Sequence, residues 1–277
     1  MGDDMKLPTF LYIGAAKTGS TWIFKALEAH PEIYVPATKE IYFFNRHYQK
    51  GLPWYASFFS DANDEQIALG ELTPTYLYSR ETAEYISRDL PNTRLLACLR
   101  DPISRVVSAY QFRKRNGIAG SDFFDTMKKY PEILENSKYS EYVEMYSDIF
   151  GSKNFKVFLF DDLKKDPVLF GKEIYKFIGV NADFEYVDAK KRVLSASQPR
   201  STLLAALVYH MSMIAHKLGW LNLIGQVRNS FISRLLYKPV GKEKLSDEEN
   251  AWLKDYYKED VDKLEKLLGR NLQHWLQ

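Results

Sequence analysis

Short apolar runs alternate with amphipathic stretches along most of this chain. Runs rich in β-branched, aromatic and leucine residues predict strands at residues 9–13, 66–69, 94–99 and 155–160. The segments between them have the periodicity of helices, and strands that alternate with helices are typical of a parallel sheet with crossover helices. The pattern therefore predicts an α/β fold, with a central parallel sheet flanked by helices.

Several helix ends are marked by residues with a known capping chemistry. An aspartate before a proline or a capping box begins a helix, and a glycine ends one. The starts predicted in this way are Asp101, Asp166 and Ser246, and the stops are Gly117 and Gly179. Because no repeat or linker interrupts the pattern, we expect a single domain over residues 1–277, with a helical C-terminal portion, about residues 201–277, packed on it.

The first predicted strand runs into a loop between Gly14 and Gly19, and a helix follows the loop. Lys17 adds a positive charge, and the amides of residues 18–22 lie at the positive end of the helix dipole, so an anionic group is expected to bind there. An ATP-binding P-loop has a lysine after its second glycine, where this chain has Ser20. The loop fits a nucleotide phosphate, or an ordinary strand-turn-helix connection, but not the usual metal-assisted γ-phosphate transfer.

A second candidate anion site follows the strand at residues 94–99. Arg100 ends this strand, and Ser104 and Ser108 lie one helical turn apart after it. A guanidinium and a hydroxyl can bind an anion together, although an arginine paired with a carboxylate is the more ordinary arrangement. Ligands of open α/β sheets lie beyond the carboxyl ends of the strands, so we expect segments 14–21, 71–76, 100–108 and 161–163 to converge on one cleft.

Composition narrows the classes of partner. The net charge of +2 favours neither nucleic acid nor an acidic polymer, and we expect no nucleic-acid partner. Cys98, the single cysteine, lies in an apolar run, so we expect it to be a core residue. Because it can form no internal disulfide, it also predicts a reducing, cytoplasmic location. The first ten residues do not resemble a secretory signal, no run is long enough for a membrane span, and no His, Cys and carboxylate spacing predicts a metal.

The apolar stripe at residues 203–224 is followed by a basic segment that ends near residue 244. Such a stripe is typical of a core helix. It also fits a lid, a wall for an apolar acceptor, or a helix in peripheral contact with an anionic membrane.

Two segments together resemble the sulfotransferases that use 3'-phosphoadenosine 5'-phosphosulfate (PAPS). They are Lys17-Thr-Gly-Ser-Thr after the first strand, and Arg100-Asp-Pro followed by Arg105-x-x-Ser-x-Tyr. Further segments are similar to heparan sulfate and bacterial carbohydrate sulfotransferases: Lys39-Glu-Ile-Tyr-Phe-Phe-Asn, Glu71-x-Thr-Pro-Thr-Tyr, Phe160-Asp-Asp-Leu, Gln198-Pro-Arg-Ser and residues 245–275. This resemblance covers nearly the whole chain and implies a three-layer fold like that of P-loop nucleotide-binding proteins.

The resemblance also assigns roles to single residues. It implies that the 5'-phosphosulfate is held by Lys17, Thr18, Gly19, Ser20, Thr21 and Trp22, and the 3'-phosphate by Arg100, Ser108 and Arg200. It places Glu40 at the catalytic glutamate that takes the proton of the acceptor hydroxyl, while Lys17 meets the charge on the departing phosphate. The expected acceptor is a saccharide, a glycolipid or another hydroxyl-bearing small molecule, and the expected product nucleotide is adenosine 3',5'-bisphosphate (PAP).

Some alternatives stay open at this point. His47 is a rival base, because cytosolic small-molecule sulfotransferases use a histidine. Related carbohydrate sulfotransferases have a lysine where this chain has Leu72, and Lys39, Arg46 or Lys50 can supply the missing charge. A nucleotide kinase using Asp161 and Asp162 to position magnesium, and a nucleotide-binding protein without catalysis, are the alternative functions.

Overall fold

A computed structural model describes residues 5–190 and 244–277, together with the backbone of 197–199 and 237–239. The chain packs into two compact units. Of the described residues, the first unit contains 5–100 and 141–190, and the second contains 101–140 and 244–277.

The first unit is built on a five-stranded sheet in the order β2-β3-β1-β4-β5, in which every neighbouring pair is parallel. The strands are β1 (Phe10–Gly14), β2 (Ile33–Tyr34), β3 (Ala68–Leu72), β4 (Arg94–Leu99) and β5 (Phe155–Leu159). The predicted α/β class and the parallel sheet are confirmed. Strand β3 begins two residues later than predicted because the Gln66 amide bonds the Asn63 carbonyl at 3.2 Å in a turn. The two-residue strand β2 gave no sequence signal.

The helices in chain order are α1 (Ser20–Glu28), α2 (Gly51–Ala56), α3 (Arg80–Asp89), α4 (Pro102–Arg115), α5 (Phe123–Lys129), α6 (Glu132–Glu135), α7 (Ser140–Asn154, with a break at Gly151), α8 (Phe160–Lys165), α9 (Pro167–Ile178) and α10 (Asp247–Leu268). A π-helical turn covers Phe43–His47, and 3₁₀ turns cover Tyr48–Lys50, Ser57–Phe59, Tyr76–Tyr78 and Gln273–Leu276. Helices α4, α5, α6 and α10 belong to the second unit.

The predicted helix caps are present. The carboxylate of Asp101 accepts the Ile103 amide at 2.9 Å, and that of Asp166 accepts two amides of α9. Ser246 forms a capping box with Glu249, and Gly179 ends α9 at a φ of 88°. Helix α4 ends at Arg115, so its stop falls two residues before Gly117.

One face of the sheet packs against α1 and α9. Alternate strand residues such as Tyr12, Leu96 and Phe158 point to this face and form a core with Trp22 and Phe170. Because a strand alternates its side chains between the two faces, the runs in β1 and β4 are apolar on both faces, which is typical of a parallel sheet covered on both sides.

Gly70 lies where the β1–β3 pairing leaves no room for a side chain. It is paired with Phe10, and a Cβ on Gly70 would lie 2.2 Å from the Phe10 ring, which is fully buried. We expect Gly70→Ala to lower the free energy of unfolding by about 3 kcal/mol because neither strand can move away. Urea titration measures this loss.

Gly120→Ala is the matched control for that substitution, since nothing lies within 4 Å of a Cβ there. In a Phe10→Leu background the Gly70→Ala loss is expected to shrink, because the ring that causes the clash is gone. Equal losses in the two backgrounds would contradict this explanation.

The second unit is held by buried polar contacts between its helices. Arg105 of α4 donates to the Ile133 carbonyl at 2.9 Å and to the Ser137 hydroxyl at 2.8 Å. Asp260 of α10, only 8% exposed, accepts the amides of Tyr139 and Ser140. Strands β6 (Ser197–Pro199) and β7 (Tyr237–Pro239) pair antiparallel. In the part of the chain that the structure describes, no helix has the length and apolar character needed to span a membrane.

Two sequence predictions concern residues outside the described ranges. The apolar stripe at 203–224 lies there, and so does most of the helical portion expected after residue 200, of which α10 is described. The single-domain prediction stays a prediction.

Candidate functional site

The loop between β1 and α1 is fixed by glycines and by an internal hydrogen-bond network. Gly19 has a φ of 93°, and a Cβ there would lie 3.0 Å from Phe160 and from Leu163. The hydroxyl of Thr18 is fully buried and donates to the Ala15 carbonyl at 2.6 Å, and the Tyr12 hydroxyl lies 2.8 Å from it. The Thr18 side chain therefore holds the loop in place.

Helix α1 begins at this loop with a turn that suits an anion. The amides of Ser20, Thr21 and Trp22 open the helix, where a helix has no carbonyl to pair with them. The first turn contains no acidic residue, and no side chain caps it. We call these three amides, at the positive end of the dipole, the anion seat; the binding of an anion there stays a prediction.

The side chain of Trp22 lies in the core. It is 7% exposed, and its indole N–H donates to the Ala189 carbonyl at 2.9 Å. The role assigned to Trp22 is therefore limited to its backbone amide.

Lys39 reaches the first turn of α1 from the segment after β2. Its side chain is 8% exposed, and its ammonium donates to the Ser20 hydroxyl at 3.1 Å and to the Thr21 hydroxyl at 3.3 Å. These bonds tie the Lys39 segment to the start of α1. Glu40 is the next residue along the chain, so its Cα lies about 3.8 Å from that of Lys39.

Glu40 is half-buried and keeps its carboxylate beside an aromatic hydroxyl. The Tyr42 hydroxyl donates a hydrogen bond to Glu40 Oε2. Tyr42 itself has a φ of 57°, a conformation that a bulky residue rarely adopts unless its surroundings hold it. A carboxylate held in this way can accept a proton from a hydroxyl at the site.

A buried carboxylate holds the segment that follows Glu40. Glu71 at the end of β3 is 1% exposed and accepts the Tyr55 hydroxyl at 3.0 Å and the Tyr76 hydroxyl at 2.7 Å. The Ile41 amide also bonds this carboxylate. The Tyr76 hydroxyl in turn accepts the Phe44 amide at 3.3 Å, so the network reaches two backbone positions of the segment.

The pKa of Glu71 is raised to about 7 because burial disfavours its charge more than the hydrogen bonds from Tyr76, Tyr55 and Thr73 favour it. The folded chain therefore keeps this proton between pH 4.5 and 7, where the unfolded chain releases it. It follows that this group stabilises the fold fully at low pH and that its contribution, about 3 kcal/mol, is lost as pH rises through that range.

Glu71→Gln is expected to remove this part of the pH dependence, because glutamine keeps an acceptor oxygen and does not titrate. Urea unfolding from pH 4.5 to 8 of both chains measures the difference. The two curves should approach each other or cross toward neutral pH; curves that run parallel throughout would contradict the shift.

Arg100 lies at the end of β4, beside the loop. Its guanidinium donates to the Lys17 carbonyl at 3.3 Å and lies 5.0 Å from the centre of the Phe160 ring. The Phe160 ring and the Lys17 carbonyl hold the plane of the guanidinium. A guanidinium held in a fixed plane can bind a phosphate through two parallel hydrogen bonds. Ser108 is half-buried on α4, in the second unit, and Arg200 lies outside the described residues.

Within the first unit the strand ends come together as the sequence predicted. The Ala16 amide donates to the Tyr78 hydroxyl at 3.2 Å, and the Thr73 amide donates to the Tyr12 carbonyl at 3.0 Å.

Cys98 is a buried core residue, as predicted, and its thiol lies 3.2 Å from the Thr18 carbonyl. Burial raises the pKa of this thiol well above its usual value.

The alternative base His47 and the alternative magnesium ligand Asp161 make the following contacts. His47 is 5% exposed, with its ring 5.4 Å from that of Trp54. Asp161 pairs with Lys164 at 2.6 Å within α8. No group of three or more His, Cys, Asp or Glu among the described residues could hold a metal ion.

The sequence left two residues of the candidate site without a role of their own. Lys39 was one of three candidate cations. Glu71 appeared in a strand-end segment and in the motif Glu71-x-Thr-Pro-Thr-Tyr. Lys39 follows the short strand β2, which has no pattern to predict it, so its distance from α1 could not be inferred. For Glu71, the apolar residues on both sides in β3 were the available signal of burial.

Residues 7–264 match the family described as the sulfotransferase domain. Membrane-associated sulfotransferase kil1 of Dictyostelium discoideum is 39% identical over 108 residues, which are 38% of this chain and 23% of that protein. Bifunctional heparan sulfate N-deacetylase/N-sulfotransferase 3 of Homo sapiens is 25% identical over an alignment of 297 positions, gaps included. This alignment covers 98% of this chain and 31% of that protein. The chain thus spans less than a third of the length of each of these two relatives.

Among solved structures, a sulfotransferase from Alicyclobacillus acidocaldarius has a TM-score of 0.71 at 23% identity, covering 98% of this chain and 100% of that one. This likeness shows the fold. These matches do not favour the alternative of a nucleotide kinase.

Proposed function

The chain belongs to the sulfotransferase family, and we propose that it moves the sulfuryl group of PAPS to a hydroxyl of a saccharide acceptor. The observation that carries the proposal is the contact of Lys39 with Ser20 and Thr21, at 3.1 and 3.3 Å. This contact ties the segment that contains Lys39 and Glu40 to the opening turn of α1, where the proposal places the donor. A seat for the transferring anion and a base for the acceptor are the two parts that such a transfer needs.

In this proposal Glu40 accepts the acceptor's proton while the acceptor oxygen bonds to sulfur. The bond from sulfur to the 5'-phosphate oxygen breaks, and its electron pair leaves on the phosphate of PAP. Lys17, Gly19 and the opening amides of α1 bind the oxygens on which charge develops. We assign Arg100, Ser108 and Arg200 to the 3'-phosphate, as the resemblance implies.

The saccharide acceptor is supported by aromatic and cationic side chains in the segment that follows Glu40 along the chain. The Arg46 guanidinium lies 4.1 Å from the Tyr42 ring centre, and the Lys50 ammonium lies 4.4 Å from that of Trp54. Aromatic faces bind the apolar faces of sugar rings, and cations bind the carboxylates and sulfates of acidic sugars. The name of the human relative, which contains heparan sulfate, supports the same class. The cytoplasmic location stays a prediction.

Transfer of radiolabelled sulfate tests the proposed function. The chain is incubated with labelled PAPS, without added metal, and with neutral glucosamine oligosaccharides, acidic oligosaccharides, a glycolipid and a simple phenol in separate reactions. Label in the saccharide, with one PAP released for each sulfate transferred, is the expected result. Label in the phenol alone would overturn the saccharide assignment, and no transfer to any acceptor would overturn the proposed function.

A further inference from the structure

Lys39 places a buried ammonium beside the first turn of α1, where the helix dipole is positive. The hydroxyls of Ser20 and Thr21 in this turn accept hydrogen bonds from it. An anion bound at this turn would attract both the ammonium and the positive end of the helix.

The two contacts of Lys39 also orient the hydroxyls of Ser20 and Thr21. Each hydroxyl oxygen accepts a hydrogen bond from the ammonium, at 3.1 and 3.3 Å. A hydroxyl that accepts in this way still has its own hydrogen to donate, and the neighbouring positive charge makes it a stronger donor. The ammonium and the two hydroxyls therefore act together toward an anion at the seat.

The other two candidate cations have a different position. Arg46 and Lys50 are both exposed, and each lies over an aromatic ring. Leu72 occupies the position at which related carbohydrate sulfotransferases have a lysine. It is fully buried in the core that α1 covers. Of the three candidates, Lys39 is the one whose ammonium contacts the first turn of α1.

We propose that Lys39 is a donor-binding residue, whose ammonium binds the 5'-phosphosulfate of PAPS and, after transfer, the 5'-phosphate of PAP. This inference rests on the proposed function. Lys39 would then act beside Lys17, supplying the second positive charge of the site that Leu72 does not.

Calorimetric titration with PAP tests this role apart from catalysis. Lys39→Met keeps most of the side-chain volume and removes the charge, and we expect it to weaken PAP binding by about tenfold or more. Lys25→Met is the matched control, since it removes an α1 lysine that pairs with Glu28 at 2.6 Å on the surface; it is expected to change the affinity by less than about twofold. Circular dichroism shows whether each variant is folded.

Chemical restoration of the charge separates binding from a structural role. In Lys39→Cys, alkylation with 2-bromoethylamine forms a carbon–sulfur bond, expels bromide and gives a side chain that ends in an ammonium at the length of lysine. Mass spectrometry verifies that Lys39→Cys takes up one aminoethyl group before its affinity is measured. It also verifies that the unmodified chain, whose Cys98 is buried with a raised thiol pKa, takes up none.

PAP affinity lost in Lys39→Cys and regained on alkylation would support the inference. Affinity that survives Lys39→Met, or that alkylation does not restore in a folded chain, would overturn it and leave the proposed function standing. A wild-type chain that binds no PAP would overturn both.

Discussion

Glu40→Gln is expected to lower turnover by about 100- to 10,000-fold while PAP affinity stays within about twofold of wild type. In the proposed reaction the Glu40 carboxylate takes a proton only as the acceptor attacks, and an amide cannot take it. Glutamine has nearly the same shape and can still accept the Tyr42 hydroxyl that bonds Glu40 Oε2 in the wild-type chain. The loss should therefore fall on kcat. Rates of labelled sulfate transfer and calorimetry with PAP measure the two effects separately.

The matched control for Glu40 is Glu28→Gln, which neutralises an exposed glutamate paired with Lys25 on α1. It should transfer sulfate at close to the wild-type rate. Turnover of Glu40→Gln within a few-fold of wild type would show that another residue takes the proton, and His47→Asn would be examined next.

Lys17→Met is expected to reduce kcat by about 100- to 1,000-fold, with a smaller loss of PAP affinity. Lys17 lies in the loop between β1 and α1 with a φ of 72°, and its carbonyl accepts the Arg100 guanidinium. The loop thus fixes its backbone next to the anion seat. Charge on the departing phosphate grows along the reaction, so a fixed cation there stabilises the transition state more than the bound donor.

Lys25→Met serves as the control for Lys17, because Lys25 is an α1 lysine that pairs with Glu28 at 2.6 Å on the surface. Its kcat should stay close to that of the wild type. If Lys17→Met lost PAP affinity and kcat by the same factor, Lys17 would bind the nucleotide uniformly, and its assigned part in the transition state would be wrong.

The parts of this fold that the sequence predicted are those with a local signal. Strand β4 has an uninterrupted apolar run and matches its predicted bounds, and the caps at Asp101, Asp166 and Ser246 depend on residues within three positions of one another. The loop at Gly14 and Gly19 was also predicted, because glycine, lysine and the following helix are adjacent in sequence.

The remaining parts depend on contacts between distant segments. Lys39 meets Ser20 across 19 positions, and Tyr55 meets Glu71 across 16, so no periodicity predicts either contact. Thr18 and Trp22 were assigned from the motif, but the structure buries their side chains in the loop and the core. A motif places a residue at a site, whereas the direction of its side chain depends on tertiary packing.

Calorimetric titration with PAP and, separately, with ATP and magnesium tests the donor assignment most directly, on the wild-type chain and on Arg100→Ala. The account predicts that PAP binds tightly without metal, that ATP with magnesium binds weakly, and that Arg100→Ala weakens PAP binding by about tenfold or more. Preference for ATP with magnesium, or PAP affinity unchanged in Arg100→Ala, would contradict the assignment of the loop and of Arg100 to this nucleotide.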